Sequence, residues 1–241
     1  MSSTVPHQDR HHPVARITHW VSLLALLVMT GSGLRIYNAA PFFAPKGAPP
    51  FAWWPLEGRS IPAILTFGGW LGGARHWHFA MMWLLLLNAA IYVAHLMRRG
   101  RWRTIVPGGM TGRSAIEMVR YYLYLRPVHP KQGKHNALQR IAYTAMLICG
   151  AMLILTGLAI WKPVTLGWLT RLLGGYALAR WWHFLAMLVL VLLVAVHVIM
   201  VLTVDPYALR AMTTGKYDEA RWSPVRRNAR PLHNLWPRRI P

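Results

Sequence analysis

The sequence is short of acids, of cysteine and of charge in general. Only six of its 241 residues are Asp or Glu against 27 Lys or Arg, and charged residues make up 14% of the chain, where a soluble domain carries about a quarter. Cys149 is the single cysteine, which excludes an internal disulfide, and no Cys-x-x-Cys-His is present to attach a c-type haem covalently. The four longest apolar stretches contain no Asp or Glu at all. Carriers that couple transport to protons or sodium ions normally take up and release the ion on intramembrane carboxylates, so that class is disfavoured.

What the chain has instead is hydrophobicity, 55% of its residues. Residues 17–37, 76–97, 141–161 and 181–204 each reach the roughly 20 apolar residues that cross about 30 Å of hydrocarbon as a helix. A long basic, histidine-containing lead precedes the first stretch and no small-residue cleavage site follows it, so it is expected to be a retained span rather than a signal peptide. The expected fold is an all-α membrane protein, a bundle of four transmembrane helices. Residues 1–15 form an N-terminal tail, 16–204 the membrane domain and 205–241 a basic C-terminal tail.

The cations are distributed unevenly. Residues 98–135 hold nine Lys or Arg and one acid, Glu117, and residues 205–241 hold eight Lys or Arg and three acids. Residues 38–74 and 163–179 carry only two and one. The positive-inside rule therefore places both termini and the central loop in the cytoplasm. The net charge of +21 reads as topology and contact with anionic headgroups, not as a nucleic-acid surface, because the cations lie beside the spans. The external loop "PFFAPKGAPPFAWWPLEG" is too rich in Pro and Gly to be a regular helix. It is expected at the membrane surface, with Trp53 and Trp54 in the interfacial belt, or else as a docking place for an external protein.

The chain repeats itself. Placing Arg16 on Arg140 aligns "RITHW" with "RIAYT", and the same offset aligns Gly33, Leu34 and Ile36 with Gly157, Leu158 and Ile160. Residues 74–79 read "ARHWHF" and residues 179–184 read "ARWWHF", which aligns the second span with the fourth. The bundle is thus two copies of one helical hairpin. Glycines alone would make this a packing repeat, but it also carries histidine and arginine.

Neutral imidazoles inside spans that lack carboxylates suit metal or haem ligation. His183 and His197 are 14 residues apart, so at ~100° and 1.5 Å per residue they lie ~40° apart on one helix face and ~21 Å apart along it. One helix thereby offers a ligand near each side of the membrane. His19, near the cytoplasmic start of the first span, is level with His197; His78, near the external start of the second, is level with His183. His76 competes with His78, but the second copy has Trp181 in its place. His95 returns to nearly the face of His78, ~20° away after 17 residues, and is an alternative ligand at the cytoplasmic depth. Arg75 and Arg180 precede the outer histidines by one turn, and Arg35 lies near the outer end of the first span. These three suit haem propionates, or ordinary interfacial anchoring.

With "RITHW", "RHWHF", "KHNALQRIAY", the His183–His197 pair and "ALRAMTTGKYDEA", residues from about 12 to 222 resemble the bacterial di-haem cytochrome b membrane subunits. These are the Ni/Fe-hydrogenase b-type cytochrome, the thiosulfate reductase cytochrome b and the formate dehydrogenase gamma subunit. The resemblance implies two haem b groups, one on His19 and His197 and one on His78 and His183, and leaves His95 as a neighbour. It also implies an inner-membrane subunit that passes electrons between a periplasmic redox enzyme and quinone, menaquinone or ubiquinone. "KHNALQR" is similar to cytochromes paired with a molybdopterin oxidoreductase. Two other readings remain at this stage. One is a stand-alone cytochrome that oxidises a small reductant such as superoxide, and the other is a non-redox membrane anchor or transporter.

Overall fold

In a bilayer every backbone N–H and C=O has to be satisfied within the segment that carries it, so the apolar stretches fold as helices. The computed structural model describes residues 11–43, 56–100, 102–108, 111–123, 125, 130 and 136–216. In chain order its helices are α1 (Pro13–Ala39), α2 (Leu71–Arg98), α3 (Trp102–Ile105), α4 (Thr111–Tyr122), α5 (Ala137–Trp161), α6 (Gly167–Leu172), α7 (Tyr176–Thr203) and α8 (Pro206–Thr214). Trp53, Trp54, the Lys134–His135 start of "KHNALQR" and most of the C-terminal tail lie outside the described residues.

Four helices, α1, α2, α5 and α7, are long and apolar enough to cross a membrane. With 27, 28, 25 and 28 residues they exceed the apolar stretches, starting four or five residues earlier in each case. The physical reason is that hydropathy marks only the hydrocarbon depth. The hydrogen-bonded helix runs on through a more polar first turn, which in these helices holds Arg16, Arg75, Arg140 and Arg180.

The chain divides into two compact units. The first takes Met1–Arg16, His95–Met146 and Leu192–Pro241, and the second Ile17–Ala94 and Leu147–Val191.

In the second unit, segments of all four long helices pack together. Asn88 on α2 is buried and donates to the Thr18 carbonyl at 2.9 Å and to Ser22 Oγ at 2.8 Å, tying α2 to α1. Trp161 on α5 meets Phe79 and Trp83 of α2, with ring centres 5.9 and 6.0 Å apart. Tyr37, Phe43 and Phe184 form a buried aromatic cluster between the end of α1 and α7. The loop after α1 is strapped down by Asn38, whose side chain bonds both the N–H and the C=O of Ile61 at 2.7 and 2.8 Å. At Gly31 the Phe67 N–H donates to the backbone carbonyl, and a Cβ there would come within 2.9 Å of the Phe67 side chain. Large apolar side chains such as Leu24, Leu27, Leu87 and Leu155 are exposed, as a lipid-facing surface allows.

Asn88 gives a direct test of this packing. Asn88→Leu keeps the bulk and removes both hydrogen bonds, which in membrane proteins costs about 1 kcal/mol, and denaturation in detergent should occur correspondingly earlier.

In the first unit, short helices gather beside the ends of the long ones. Arg140 donates from Nε to the Val106 carbonyl at 3.0 Å, satisfying an open carbonyl just past α3, and Thr144 bonds the Ile105 carbonyl at 3.3 Å. Arg16, its counterpart in the repeat, donates to the Thr213 carbonyl in the last turn of α8. Gly215, at φ +84°, closes α8 in the left-handed conformation. Asn136 and Gln139 form a reciprocal capping box at the start of α5: the Asn136 N–H donates to Gln139 Oε1 at 3.0 Å, and the Gln139 N–H to Asn136 Oδ1 at 2.8 Å. Residues 98–135 read as a loop in the sequence, yet α3 and α4 fall within them. α4 buries Ala115, Met118 and Tyr121 while Ile116 and Val119 are exposed, a pattern too short to stand out as an apolar run.

Candidate functional site

His78 comes from α2 and His183 from α7, and in the second unit their ring centres are 6.3 Å apart. His78 Nδ1 is 3.0 Å from Ser32 Oγ, and that hydroxyl donates to the Met29 carbonyl at 3.2 Å. A serine hydroxyl has one proton. With it directed to Met29, the oxygen accepts from His78; in that arrangement Nδ1 carries the ring proton and Nε2 keeps its lone pair. The same device occurs at the other ring. His183 Nδ1 is 2.9 Å from Thr156 Oγ1, which donates to the Met152 carbonyl at 2.5 Å.

Glycines make room for both rings. A Cβ added at Gly33 would meet His78 Cε1 at 3.4 Å, and one at Gly157 would meet His183 Cε1 at 3.3 Å. Ser32 and Gly33 on α1 therefore stand to His78 as Thr156 and Gly157 on α5 stand to His183. Each hairpin holds its own imidazole, and the two ring planes are inclined at 62°.

The spacing can be tested against a shared metal. With metal–nitrogen bonds of about 2.0 Å and about 1.1 Å from each nitrogen to its ring centre, two trans imidazoles sit roughly 6 Å apart. The observed 6.3 Å fits. Among the described residues no three His, Cys, Asp or Glu side chains gather around a bare ion. A pair of neutral imidazoles suits an iron whose other four ligands are porphyrin nitrogens.

The remaining sequence candidates are placed as follows. His76 and Arg75 are exposed, and Arg35 is half-buried on α1. Arg180 donates to the Ala40 carbonyl at 3.0 Å and lies over the Phe43 ring at 5.7 Å, so part of its guanidinium serves the loop. His19 belongs to the second unit, edge-on to Trp20 at 5.3 Å. His197 belongs to the first, 6.3 Å from the Tyr143 ring. Their pairing rests on spacing along the chain. His95, in the first unit, packs on His12 with ring centres 4.7 Å apart, and Arg99 Nη2 is 3.4 Å from His12 Nε2.

Ser32 and Thr156 are absent from the sequence-derived set, although the offset that aligns Gly33 with Gly157 also aligns them. Their signal was a shared hydroxyl hidden by a change of residue. Tyr143 aligns with His19 under the same offset, whereas His12 carries no comparable signal.

Residues 10–215 match the family described as prokaryotic cytochrome b561. The chain belongs to that family. A putative protein-methionine-sulfoxide reductase subunit of Azospira oryzae is 41% identical over 206 residues, spanning 85% of this chain and 96% of the relative. Probable Ni/Fe-hydrogenase B-type cytochrome subunits of Cupriavidus necator and Azotobacter vinelandii are 24% and 27% identical. They cover 76% and 79% of this chain and 74% and 78% of their own lengths. No solved structure matches the chain. As a cytochrome b561 with four membrane-spanning helices, the protein is a multi-pass component of the bacterial inner membrane, its cofactor class is haem b and its class of function is electron transfer.

Proposed function

We propose that this cytochrome b561 is the di-haem membrane subunit of a reductase, carrying electrons from quinol, menaquinol or ubiquinol, to a periplasmic redox partner. The carrying observation is the neighbouring pair His78 and His183, each with Nδ1 beside a hydroxyl of the adjoining helix and the two ring centres 6.3 Å apart. These two imidazoles would hold one haem. His19 and His197, matched in depth by the sequence, would hold the second, nearer the cytoplasmic side where the cation distribution puts both termini.

When bound, haem supplies the one-electron chemistry. The chain's own residues do the rest. His78 and His183 would hold the haem iron with two imidazoles, which would suit it to electron transfer and not to oxygen binding. Ser32 and Thr156, both buried, hold the two rings by their Nδ1 atoms. Arg35, Arg75 and Arg180 provide cations for the acidic edge of the cofactor, Arg180 sharing its guanidinium with Ala40.

The reductase reading is favoured over the hydrogenase reading by the 41% identity over 96% of a relative named as a reductase subunit, against 24–27% for the hydrogenase cytochromes. A molybdopterin enzyme is the partner type that the "KHNALQR" wording suits. The test is spectroscopic. Purified protein should contain two haem b per chain by pyridine haemochrome assay, and a quinol analogue should reduce both. A colourless protein, or one whose haem quinol leaves oxidised, would overturn the proposal.

A further inference from the structure

We infer that Ser32 and Thr156 are positioning residues of the His78–His183 site: their hydroxyls fix which imidazole nitrogen faces the iron and set the reduction potential there. The inference rests on the reading of His78 and His183 as haem ligands and extends it to two residues on the neighbouring helices.

The hydrogen-bond geometry carries the argument. Both hydroxyls have a carbonyl of their own helix to donate to, Ser32 that of Met29 and Thr156 that of Met152. In that arrangement each oxygen presents only acceptor capacity to the ring, and each ring presents the same nitrogen, Nδ1, at 3.0 and 2.9 Å. A histidine that merely filled space between helices would be equally well satisfied with its other nitrogen on the hydroxyl, in one copy or in both. Here the two copies agree in nitrogen, in donor direction and in the adjacent glycine, while differing in residue type. What they keep is the hydroxyl. Ser32 and Thr156 are both buried, so water does not take over the role.

The chemistry follows from how an outer partner acts on a metal ligand. A group that accepts a hydrogen bond from the distal N–H fixes the ring orientation and makes the imidazole a stronger donor to the metal. Stronger donation favours oxidised over reduced iron, so the hydroxyls hold the potential down. A neutral hydroxyl does this more gently than the carboxylate that many metal-bound histidines use, and the spans contain no carboxylate to supply that stronger effect. The hydroxyl pair leaves the site at an intermediate potential.

The experiment compares two pairs of variants in native membranes by haem content and redox titration. Ser32→Ala with Thr156→Val removes both acceptors, and Ser32→Thr with Thr156→Ser exchanges the residues but keeps the hydroxyls. Loss of the hydroxyls should weaken haem retention at this site by about 10-fold or more. In the fraction that stays bound it should favour the reduced form by up to about tenfold, a rise of up to 59 mV for one electron. The exchanged variant should titrate as the parent. If Thr156→Val fails to assemble, Ser32→Ala alone deletes a single atom and should move the same haem in the same direction. An unchanged potential and haem content without the hydroxyls, or an equal shift in the exchanged variant, would overturn the inference. His183→Ala separates the two levels: if that protein keeps both haems, the ligand reading itself has failed, whatever the hydroxyl variants do.

Discussion

His183→Ala should leave the protein with one haem per chain in place of two. The His183 ring lies in the second unit 6.3 Å from that of His78, with Thr156 Oγ1 at its Nδ1 and Gly157 beside its Cε1. Its neighbours along α7 are Trp182 and Phe184, which cannot replace it as a ligand, and His76 is exposed. Removing an outer-shell partner of a metal ligand costs 10–100-fold in affinity, so removing the ligand itself should cost more than about 100-fold and empty the site. His78→Ala should have the same effect, and the double variant no greater one, if both imidazoles hold one iron as proposed. Because a bound cofactor stabilises only the folded chain, the single-haem protein should also denature at a lower temperature in detergent. Two haems retained in His183→Ala would remove the basis for the site. His76→Ala is the internal control and should keep both.

How much of this was legible beforehand depended on what kind of signal each feature leaves. The four long helices were readable because length and hydropathy are enough to require them; only their polar first turns were missed. His78 was preferred over His76 because the repeat puts Trp181 opposite His76, and the structure puts His78 on Ser32 and leaves His76 exposed. α3 and α4 were hidden inside a basic segment, since helices of four and twelve residues that bury one narrow face produce no long apolar run. Asn136 and Gln139 spell Asn-x-x-Gln, a helix-start signal in its own right, and they form the capping box that opens α5.

The hydroxyls were the instructive omission. Ser32 and Thr156 align under the offset that relates the two hairpins, yet a comparison by identity passes over them because the residues differ. What the two positions share is one oxygen able to bond a carbonyl one turn back and to accept from a ring. That is a property of geometry, visible once each helix is paired with its neighbour. The proximity of His12 to His95 is a different case, because it depends on how the chain ahead of α1 approaches the end of α2, and no periodicity encodes that approach.

His197→Ala should remove the other haem and leave the His78–His183 site filled, whereas His95→Ala should retain both. The two histidines were rivals in sequence, since both stand on apolar helices at the same depth and on the face of a proposed outer ligand. Their surroundings now differ. His95 packs against His12 at 4.7 Å in a group that includes Arg99, among other cations and near the helix end. A cation-rich setting opposes the additional positive charge of a ferric iron, at a few kcal/mol per unit charge for close pairs near a protein surface. His197 instead sits a full turn and more inside α7, with the Tyr143 ring at 6.3 Å as its aromatic neighbour. Haem counting on His197→Ala, His95→Ala and His19→Ala distinguishes the outcomes. Loss of one haem in the His197 and His19 variants and none in the His95 variant supports the assignment. A haem lost with His95 and kept with His197 would move the second site to the other helix. Combining His183→Ala with His197→Ala should then yield a colourless membrane protein, because each variant empties a different site.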